Sequence, residues 1–258
     1  MIRDRYDAII FVPLNERLGA ELVSRAHAAG VPVIGSNTRV DSDLVAAYIG
    51  SDDVEGGYLE ARHVLEAMGC RGNVVILEGP LGQSAQLSRL EGNRKALADC
   101  PDASVLEQAS ANWKEPEAKA LMAGWLDAHG TTIDGIIGQN DEMALGAIDA
   151  IKARGLDVTD FAIAGIDGVT AALRAVEQGE MTSILQDAVA QSQGALDLAL
   201  HRLDPTYTPQ SEIWEKYPTM PWNGGAQRDY VVPWTPVTPE NVAALLAERS
   251  KLQDMAGN

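Results

Sequence analysis

A cluster of hydrogen-bonding side chains follows a short run of residues rich in isoleucine in the middle of the chain. Gln139, Asn140, Asp141 and Glu142 come directly after residues 133–137, which include three isoleucines. Amide and carboxylate groups of this kind can hydrogen-bond a polar ligand. Asn140 or Asp141 could instead cap a following helix, with Glu142 favouring the helix dipole. The cluster alone does not separate ligand binding from helix capping.

The residues around this polar elbow (residues 138–141) predict how it is positioned. Residues 133–137 favour a short strand, whereas the residues after the elbow favour an amphipathic helix. The apolar stripe of that helix would comprise Ala144, Ala147, Ile148 and Ile151. The elbow would then lie at the carboxyl end of a parallel strand, which is the edge of an open α/β sheet where ligands bind.

The same alternation of short apolar runs and amphipathic stretches extends from Ala8 to Leu203. It predicts an α/β protein with parallel sheets built from right-handed βαβ units. Residues 205–239 interrupt the pattern with prolines and aromatic residues, and we interpret them as one or two returning edge strands plus an irregular excursion. Residues 241–252 favour a closing helix. Edges between a strand and a helix that carry polar clusters recur along the chain, at Asn15, Asn37, Asp52, Gly82, Asn140, Asp167 and Gln186.

Motifs for catalysis and for cofactor binding are absent from the sequence. It contains no GxxxxGK[ST] phosphate loop, no GxGxxG dinucleotide fingerprint and no GxSxG nucleophile elbow. The four histidines (His27, His63, His129 and His201) do not cluster, which favours surface or boundary positions over a metal site or a general base. We therefore predict no enzyme activity, no cofactor and no metal site.

The composition excludes two classes of partner. The 258 residues carry a formal net charge of −17, so nucleic acid and anionic membrane surfaces would repel the chain. No apolar run reaches the roughly 18 residues that a membrane span needs, and we expect no direct membrane insertion. Cys70 and Cys100 lie outside any CxxC motif, and the sequence leaves open whether they form a disulfide or remain two thiols.

Several motifs occur in a fixed order along nearly the whole chain. They include SDDVEGG at residues 51–57, LEGPLGQSA at 77–85, QNDEMALG at 139–146 and GIDG at 165–168, followed by Gln186. Together they resemble the periplasmic sugar-binding proteins of ABC importers, of the ribose-binding type. The resemblance implies two doubly wound parallel-sheet lobes joined by a hinge of crossing strands, with the ligand closed between them. It assigns residues 1–51 and 187–231 to the first lobe, and residues 52–186 and 232–258 to the second.

The resemblance also implies a set of ligand-binding residues. They are Asn37 and Thr38 in the first lobe, Arg89, Trp113, Asn140 and Asp167 in the second, and Gln186 at a crossing. Their chemistry suits a sugar, because planar groups such as Asp and Arg bind adjacent hydroxyls and an aromatic ring stacks on the apolar face. Structural interpretations remain open for three of them: a surface-packing Trp113, a simple Asp-Gly turn at Asp167, and a solvated helical Arg89.

Two departures from the family pattern affect the interpretation. Ribose binders carry an acid and a base where this chain has Asn37 and Thr38, which favours another pentose, a sugar alcohol or a cyclitol over ribose. The chain also opens at what resembles the third strand of the family. We expect truncation relative to the natural gene, with an incomplete first lobe that exposes an unpaired sheet edge, and with loss of the signal peptide of a periplasmic protein.

Two functional hypotheses from different classes follow. The first is the receptor of an ABC-type importer, which closes its lobes around a monosaccharide or sugar alcohol and docks on a membrane permease. The second is the effector-binding domain of a LacI-type transcription repressor that lacks its DNA-binding segment. The negative net charge and the sequences of the motifs GPLGQS and QNDEMA favour the receptor hypothesis.

Overall fold

The computed structural model describes residues 6–256, with side chains described up to Lys251. The chain divides into two compact units, each built from separate stretches of sequence. Unit 1 comprises the described residues up to Asp52 together with Gly82–Ala85 and Asp187–Trp234. Unit 2 comprises Asp53–Leu81, Gln86–Gln186 and the described residues from Thr235 onward.

Strands and helices alternate along the chain. The first elements are β1 (Ile9–Phe11), α1 (Glu16–Ala28), β2 (Val33–Ser36), β3 (Ala47–Gly50), α2 (Asp53–Ala67), β4 (Arg71–Glu78), α3 (Ser84–Ala98), β5 (Asp102–Ser110) and α4 (Glu115–His129). They are followed by β6 (Gly135–Gly138), α5 (Asp141–Ala153), β7 (Ala162–Asp167), α6 (Thr170–Glu177), β8 (Thr182–Leu185), α7 (Ala188–Leu203), α8 (Ile213–Lys216), β9 (Asp229–Val231), β10 (Thr235–Val237) and α9 (Val242–Ala256).

Unit 1 is built on a four-stranded parallel sheet with the order β1-β2-β3-β9. Ile34, Ile49 and Tyr230 are fully or almost fully buried and pack with apolar residues of α7 and α8. Ile9 and Val33 pack with residues of α1 in a second cluster. Strand β1 lies at the edge of the sheet, and the residues Ile10 and Val12 are about half exposed, at 45% and 49%.

Unit 2 is built on a six-stranded sheet with the order β10-β8-β7-β6-β4-β5. The pairs from β8 to β5 are parallel, and β10 alone in this sheet is antiparallel, with Val237 opposite Ser183. Apolar clusters include Ile136 with Met143 and, separately, Ile137 with Val64. Because successive side chains of a strand point to opposite faces, both faces of β6 are buried.

The predicted arrangement around the polar elbow is confirmed. Strand β6 ends at Gly138, α5 begins at Asp141, and Ala144, Ala147, Ile148 and Ile151 are all buried. The parallel α/β fold is likewise confirmed, and β9 and β10 are the two returning edge strands.

The start of α2 contains two residues that disfavour a helix. The helix begins at Asp53 and includes Gly56 and Gly57, both of which are poor helix formers. Gly57 is required by packing, since a Cβ there would lie 2.2 Å from the carbonyl oxygen of Arg89. Close contact between two helices therefore overrides local propensity.

Cys70 and Cys100 form a disulfide, which answers the question that the sequence left open. Cys70 follows α2 and Cys100 follows α3, so the bond ties the ends of two helices in unit 2.

Candidate functional site

The predicted residues of unit 2 gather at the carboxyl edge of its sheet. Asn140 follows β6, Asp167 ends β7 and Gln186 follows β8, three strands that are neighbours in the sheet. Trp113 follows β5, and Arg89 reaches the same region from α3. Because the strands are parallel, their carboxyl ends meet at one edge, where ligands of open α/β sheets bind.

Arg89 is the centre of this group. Its side chain is 5% exposed, and its Nε donates a hydrogen bond of 2.9 Å to Asp53 Oδ1. Its Nη1 donates to the backbone carbonyl of Gln139, and its Nη2 lies 3.9 Å from Asp167 Oδ1. The guanidinium carbon is 5.4 Å from the centre of the Trp113 ring. The interpretation of Arg89 as a solvated surface residue is therefore wrong.

Asp167 occupies a strained position at the end of β7. Its φ is +127°, in a region that L-residues rarely adopt, and Gly168 follows with a φ of +68°. The Asp-Gly turn is thus present, and it presents the carboxylate beside Arg89. Loss of hydration raises the pKa of Asp167 to about 8, while the positive charge of Arg89 opposes the rise. The side chain remains 29% exposed, so water still reaches the carboxyl group.

The Trp113 ring is held by an unusual stretch of backbone. Asn112 and Trp113 both have positive φ values, of 53° and 61°. The ring lies against Gly79, where an added Cβ would be 2.0 Å from a ring carbon. Glycine at this position therefore makes room for the indole ring of Trp113. The ring is also packed against the hydrophobic core of unit 2, so the structural interpretation of Trp113 is partly correct.

Asn140 acts as a helix cap. Its Oδ1 accepts a hydrogen bond of 3.0 Å from the backbone N–H of Met143, and its Nδ2 donates to Glu142 Oε2 at 2.7 Å. The backbone carbonyl of Trp113 is 3.5 Å from the same Nδ2. Asn140 thus satisfies the capping interpretation while it lies next to the residue that carries the aromatic ring.

Asp141, by contrast, is a buried residue whose carboxylate bonds to two other segments at the carboxyl edge of the sheet. It is fully buried, and its carboxylate accepts hydrogen bonds from Ser183 Oγ at 2.7 Å and from the backbone N–H of Val169 at 2.9 Å. Burial raises the pKa of Asp141 to about 7, although both hydrogen bonds oppose the rise. Asp141 therefore connects the polar elbow with the loop that follows Asp167.

The remaining predicted residues are placed as follows. Gln186 is buried, and its backbone N–H donates to the carbonyl of Asp167 at 3.2 Å. In unit 1, Asn37 follows β2 with a φ of +61°, and its Nδ2 donates to Gln191 Oε1 at 3.1 Å. Thr38 is buried, and its hydroxyl donates to the carbonyl of Pro13 at 2.8 Å, so this hydroxyl proton serves the packing of unit 1.

Sequence reasoning missed the layer of polar residues behind the site. Gln139 is fully buried, and its Oε1 accepts from the backbone N–H of Gly79 at 3.1 Å. Asp53 pairs with Arg89, although the sequence presented it only as part of the SDDVEGG motif. The clustering of acids and amides after two strands was the available signal, but it did not reveal which of them point inward.

Within the described part of the chain, no group of three or more histidine, cysteine, aspartate or glutamate side chains could hold a metal ion. The helices described here include none that is both long and apolar enough to cross a membrane.

The comparisons with known proteins identify the family of this chain. Residues 1–205 match the family model described as the periplasmic binding protein domain. The chain belongs to this family. Among curated relatives of this periplasmic binding protein domain is the xylitol-binding protein of Mycolicibacterium smegmatis, which is 39% identical over 197 residues. That alignment covers 75% of this chain and 56% of the relative, so the chain spans little more than half the length of that relative.

Two solved structures extend the similarity to the fold. A solute-binding protein of an ABC transporter from Bacillus halodurans, with bound myo-inositol, is 32% identical with a TM-score of 0.81. A periplasmic solute-binding protein from Actinobacillus succinogenes, with bound D-allose, is 31% identical with a TM-score of 0.79. Each comparison covers 95% of this chain, with 79% and 82% of the solved chains respectively. These comparisons give no support to the repressor hypothesis.

Proposed function

We propose that this chain is the substrate-binding receptor of an ABC-type importer and that its ligand is a sugar or polyol. The observation that carries the proposal is the buried Arg89, which lies beside Asp167 and faces the Trp113 ring at the carboxyl edge of a parallel sheet. The names of its relatives, which bind xylitol, myo-inositol and D-allose, support the same ligand class.

The chemistry of this group suits a neutral molecule with several hydroxyls. The guanidinium of Arg89 donates charge-assisted hydrogen bonds and the carboxyl group of Asp167 accepts hydrogen bonds, so the two together can bind neighbouring hydroxyls. An indole ring offers an apolar face to the C–H side of a ring or chain. Asn140, Gln186, Asn37 and Thr38 remain proposed ligand residues. No acid and base pair is proposed for catalysis, because the role of the site is binding.

Sugar alcohols and cyclitols are the favoured ligands. Asn37 and Thr38 are uncharged, so they cannot supply the charged clamp that the ribose binders carry at this place. Xylitol and myo-inositol are therefore the first probes, with D-allose and ribose as sugars for comparison.

The proposed setting is the periplasm, where the receptor would deliver its ligand to a membrane permease. The disulfide between Cys70 and Cys100 supports this location, since disulfides persist in oxidising compartments. The net charge of −17 argues against a nucleic acid partner.

The test is isothermal titration calorimetry with each of the four compounds, together with thermal unfolding. Binding of one polyol should raise the melting temperature, because a ligand that binds only the folded state stabilises it. Asp167→Ala should weaken that binding several-fold, by about 2-fold to 10-fold, since a hydrogen bond contributes about 0.5–1.5 kcal/mol. Asp149→Ala is the matched control, because Asp149 is an exposed aspartate that pairs with Lys119.

Two results would contradict the proposal. One is the absence of binding to all four compounds by a protein that unfolds cooperatively. The other is a wild-type affinity for the bound polyol in the Asp167→Ala variant.

A further inference from the structure

The contacts of Arg89 with its two acidic neighbours are unequal. Its Nε donates to Asp53 Oδ1 at 2.9 Å, which is a full hydrogen bond, whereas its Nη2 is 3.9 Å from Asp167 Oδ1, which is beyond hydrogen-bond distance. The side chain of Asp53 is only 9% exposed and that of Arg89 only 5%. Little water therefore screens the pair, and its geometry is set by the protein.

The backbones that carry this pair are fixed by close packing. Asp53 is the first residue of α2, and Arg89 lies in the middle of α3. A Cβ added at Gly57 would lie 2.2 Å from the carbonyl oxygen of Arg89, and one added at Gly92 would lie 2.1 Å from that of Val54. The two helices are thus in backbone contact next to the ion pair, so the backbones of Asp53 and Arg89 are held in place while the Arg89 side chain can still change position.

Arg89 would approach Asp167 if Asp53 were absent. A movement of about 1 Å would bring Nη2 within hydrogen-bond distance of the Asp167 carboxylate. The positive charge of Arg89 favours the ionised form of Asp167, so the two groups attract each other. Removal of Asp53 would release Nε, while the hydrogen bond from Nη1 to the Gln139 carbonyl would remain. A closed pair would use one donor and one acceptor that polyol hydroxyls would otherwise engage.

We propose that Asp53 is a positioning residue of the polyol site, whose Oδ1 holds Arg89 against α2 and keeps the guanidinium out of hydrogen-bond contact with Asp167. This inference rests on the proposed polyol-binding function. Asp53 does not itself contact the ligand; it acts through Arg89. The site would then be pre-organised, with Arg89 and Asp167 side by side and spaced for two neighbouring hydroxyls.

The test compares two substitutions that differ in one property. Asp53→Asn keeps an oxygen that can accept from Arg89 Nε but removes the charge, whereas Asp53→Ala removes both. Crystal structures of the unliganded variants should show Arg89 within hydrogen-bond distance of Asp167 in Asp53→Ala and in its wild-type place in Asp53→Asn. Affinity for the polyol should fall at least tenfold in Asp53→Ala and stay within threefold of wild type in Asp53→Asn.

Wild-type affinity in the asparagine variant separates positioning from a general structural role. If the role were only structural, affinity would not depend on whether residue 53 keeps an oxygen that accepts from Arg89. If Asp53→Ala does not fold, Asp53→Ser takes its place, since the serine hydroxyl is too short to reach Arg89. An unmoved Arg89 in the alanine or serine variant would overturn the proposal. Equal loss of affinity in the asparagine and alanine variants would also overturn it, because the charge of Asp53 would then be responsible.

The outcomes also separate this inference from the function on which it rests. If the wild-type protein binds none of the four compounds, the proposed function fails. The position of Arg89 in the unliganded variants still decides whether Asp53 holds it.

Discussion

At the scale of single residues, unit 2 contains a buried acid that takes no part in the candidate site. Glu60 is fully buried on α2, and its Oε2 accepts a hydrogen bond of 3.2 Å from Asn93 Nδ2. Its Oε1 has no hydrogen-bond partner among the described residues. Burial raises the pKa of Glu60 to about 8, and the hydrogen bond from Asn93 opposes the rise only in part.

A protonated Glu60 makes the stability of the protein depend on pH. Its folded pKa lies above the ordinary value of 4.5, so folding takes up a proton between these two values. The stabilising contribution is complete below about pH 4.5 and is lost as the pH rises through about 8. We expect Glu60→Gln to reduce the fall in unfolding free energy over this range, by up to about 1.4 kcal/mol per pH unit.

Urea unfolding at a series of pH values between 5 and 8 measures this slope. Glu91→Gln is the matched control, because Glu91 is an exposed glutamate on α3 that pairs with Lys95. Asp141 and Asp167 also have raised pKa values and leave part of the slope in the variant. A slope in Glu60→Gln equal to that of wild type would show that Glu60 is ionised in the folded protein.

At the scale of elements, the contact between α2 and α3 sets the depth at which Arg89 lies. Gly57 and Gly92 let the two helices touch through their backbones. Elsewhere in a helix, glycine costs about 0.5–1 kcal/mol relative to alanine. Glycine at these two positions is therefore explained by the packing of the site and not by helix propensity.

Replacing Gly92 by alanine should push the two helices apart. The new Cβ would lie 2.1 Å from the carbonyl oxygen of Val54, and backbone cannot give way as a flexible side chain can. We expect a loss of about 1–3 kcal/mol in unfolding free energy, measured by urea denaturation, together with weaker polyol binding.

Gly124→Ala should have the opposite effect on stability from Gly92→Ala. Gly124 lies within α4, and an added Cβ would meet no atom within 4 Å. This substitution should raise the unfolding free energy by about 0.5–1 kcal/mol and leave ligand binding unchanged. Equal effects of the two substitutions would contradict the assigned role of the helix contact.

At the scale of the whole molecule, the chain enters each compact unit more than once. Unit 2 consists of three stretches of sequence, which are separated along the chain by Gly82–Ala85 and Asp187–Trp234 of unit 1. Its stability therefore depends on contacts between distant parts of the sequence. The disulfide between Cys70 and Cys100 adds a covalent link across a sequence separation of 30 residues within this unit.

Loss of the disulfide should destabilise the protein. Closing a loop of this length lowers the entropy of the unfolded chain, and the chain-entropy model gives about 3–4 kcal/mol. Denaturant unfolding with and without a reducing agent measures the effect. The variant with serine at both positions should be less stable than the oxidised wild type and should not respond to the reducing agent. A wild-type stability that is insensitive to reduction would contradict this prediction.

Part of the candidate site could be predicted from the sequence because local patterns encode local structure. The run of residues 133–137, the polar elbow and the spacing of Ala144, Ala147 and Ile148 indicated where β6 ends and α5 begins. The alternation of such units indicated parallel sheets, in which the carboxyl ends of strands share one edge. The resemblance of the motifs indicated the family and placed Arg89 and Asp167 in one set of proposed ligand-binding residues.

The sequence by itself therefore determined the fold class, the edge of the sheet that carries the polar residues and the family. Only the tertiary structure decided the role of each polar side chain. Asn140 caps a helix, Asp141 and Gln139 are interior supports, and Asp53 binds Arg89. The physical reason is that periodicity reports which face of an element is apolar, whereas the partner of a buried polar group depends on contacts between residues far apart in sequence.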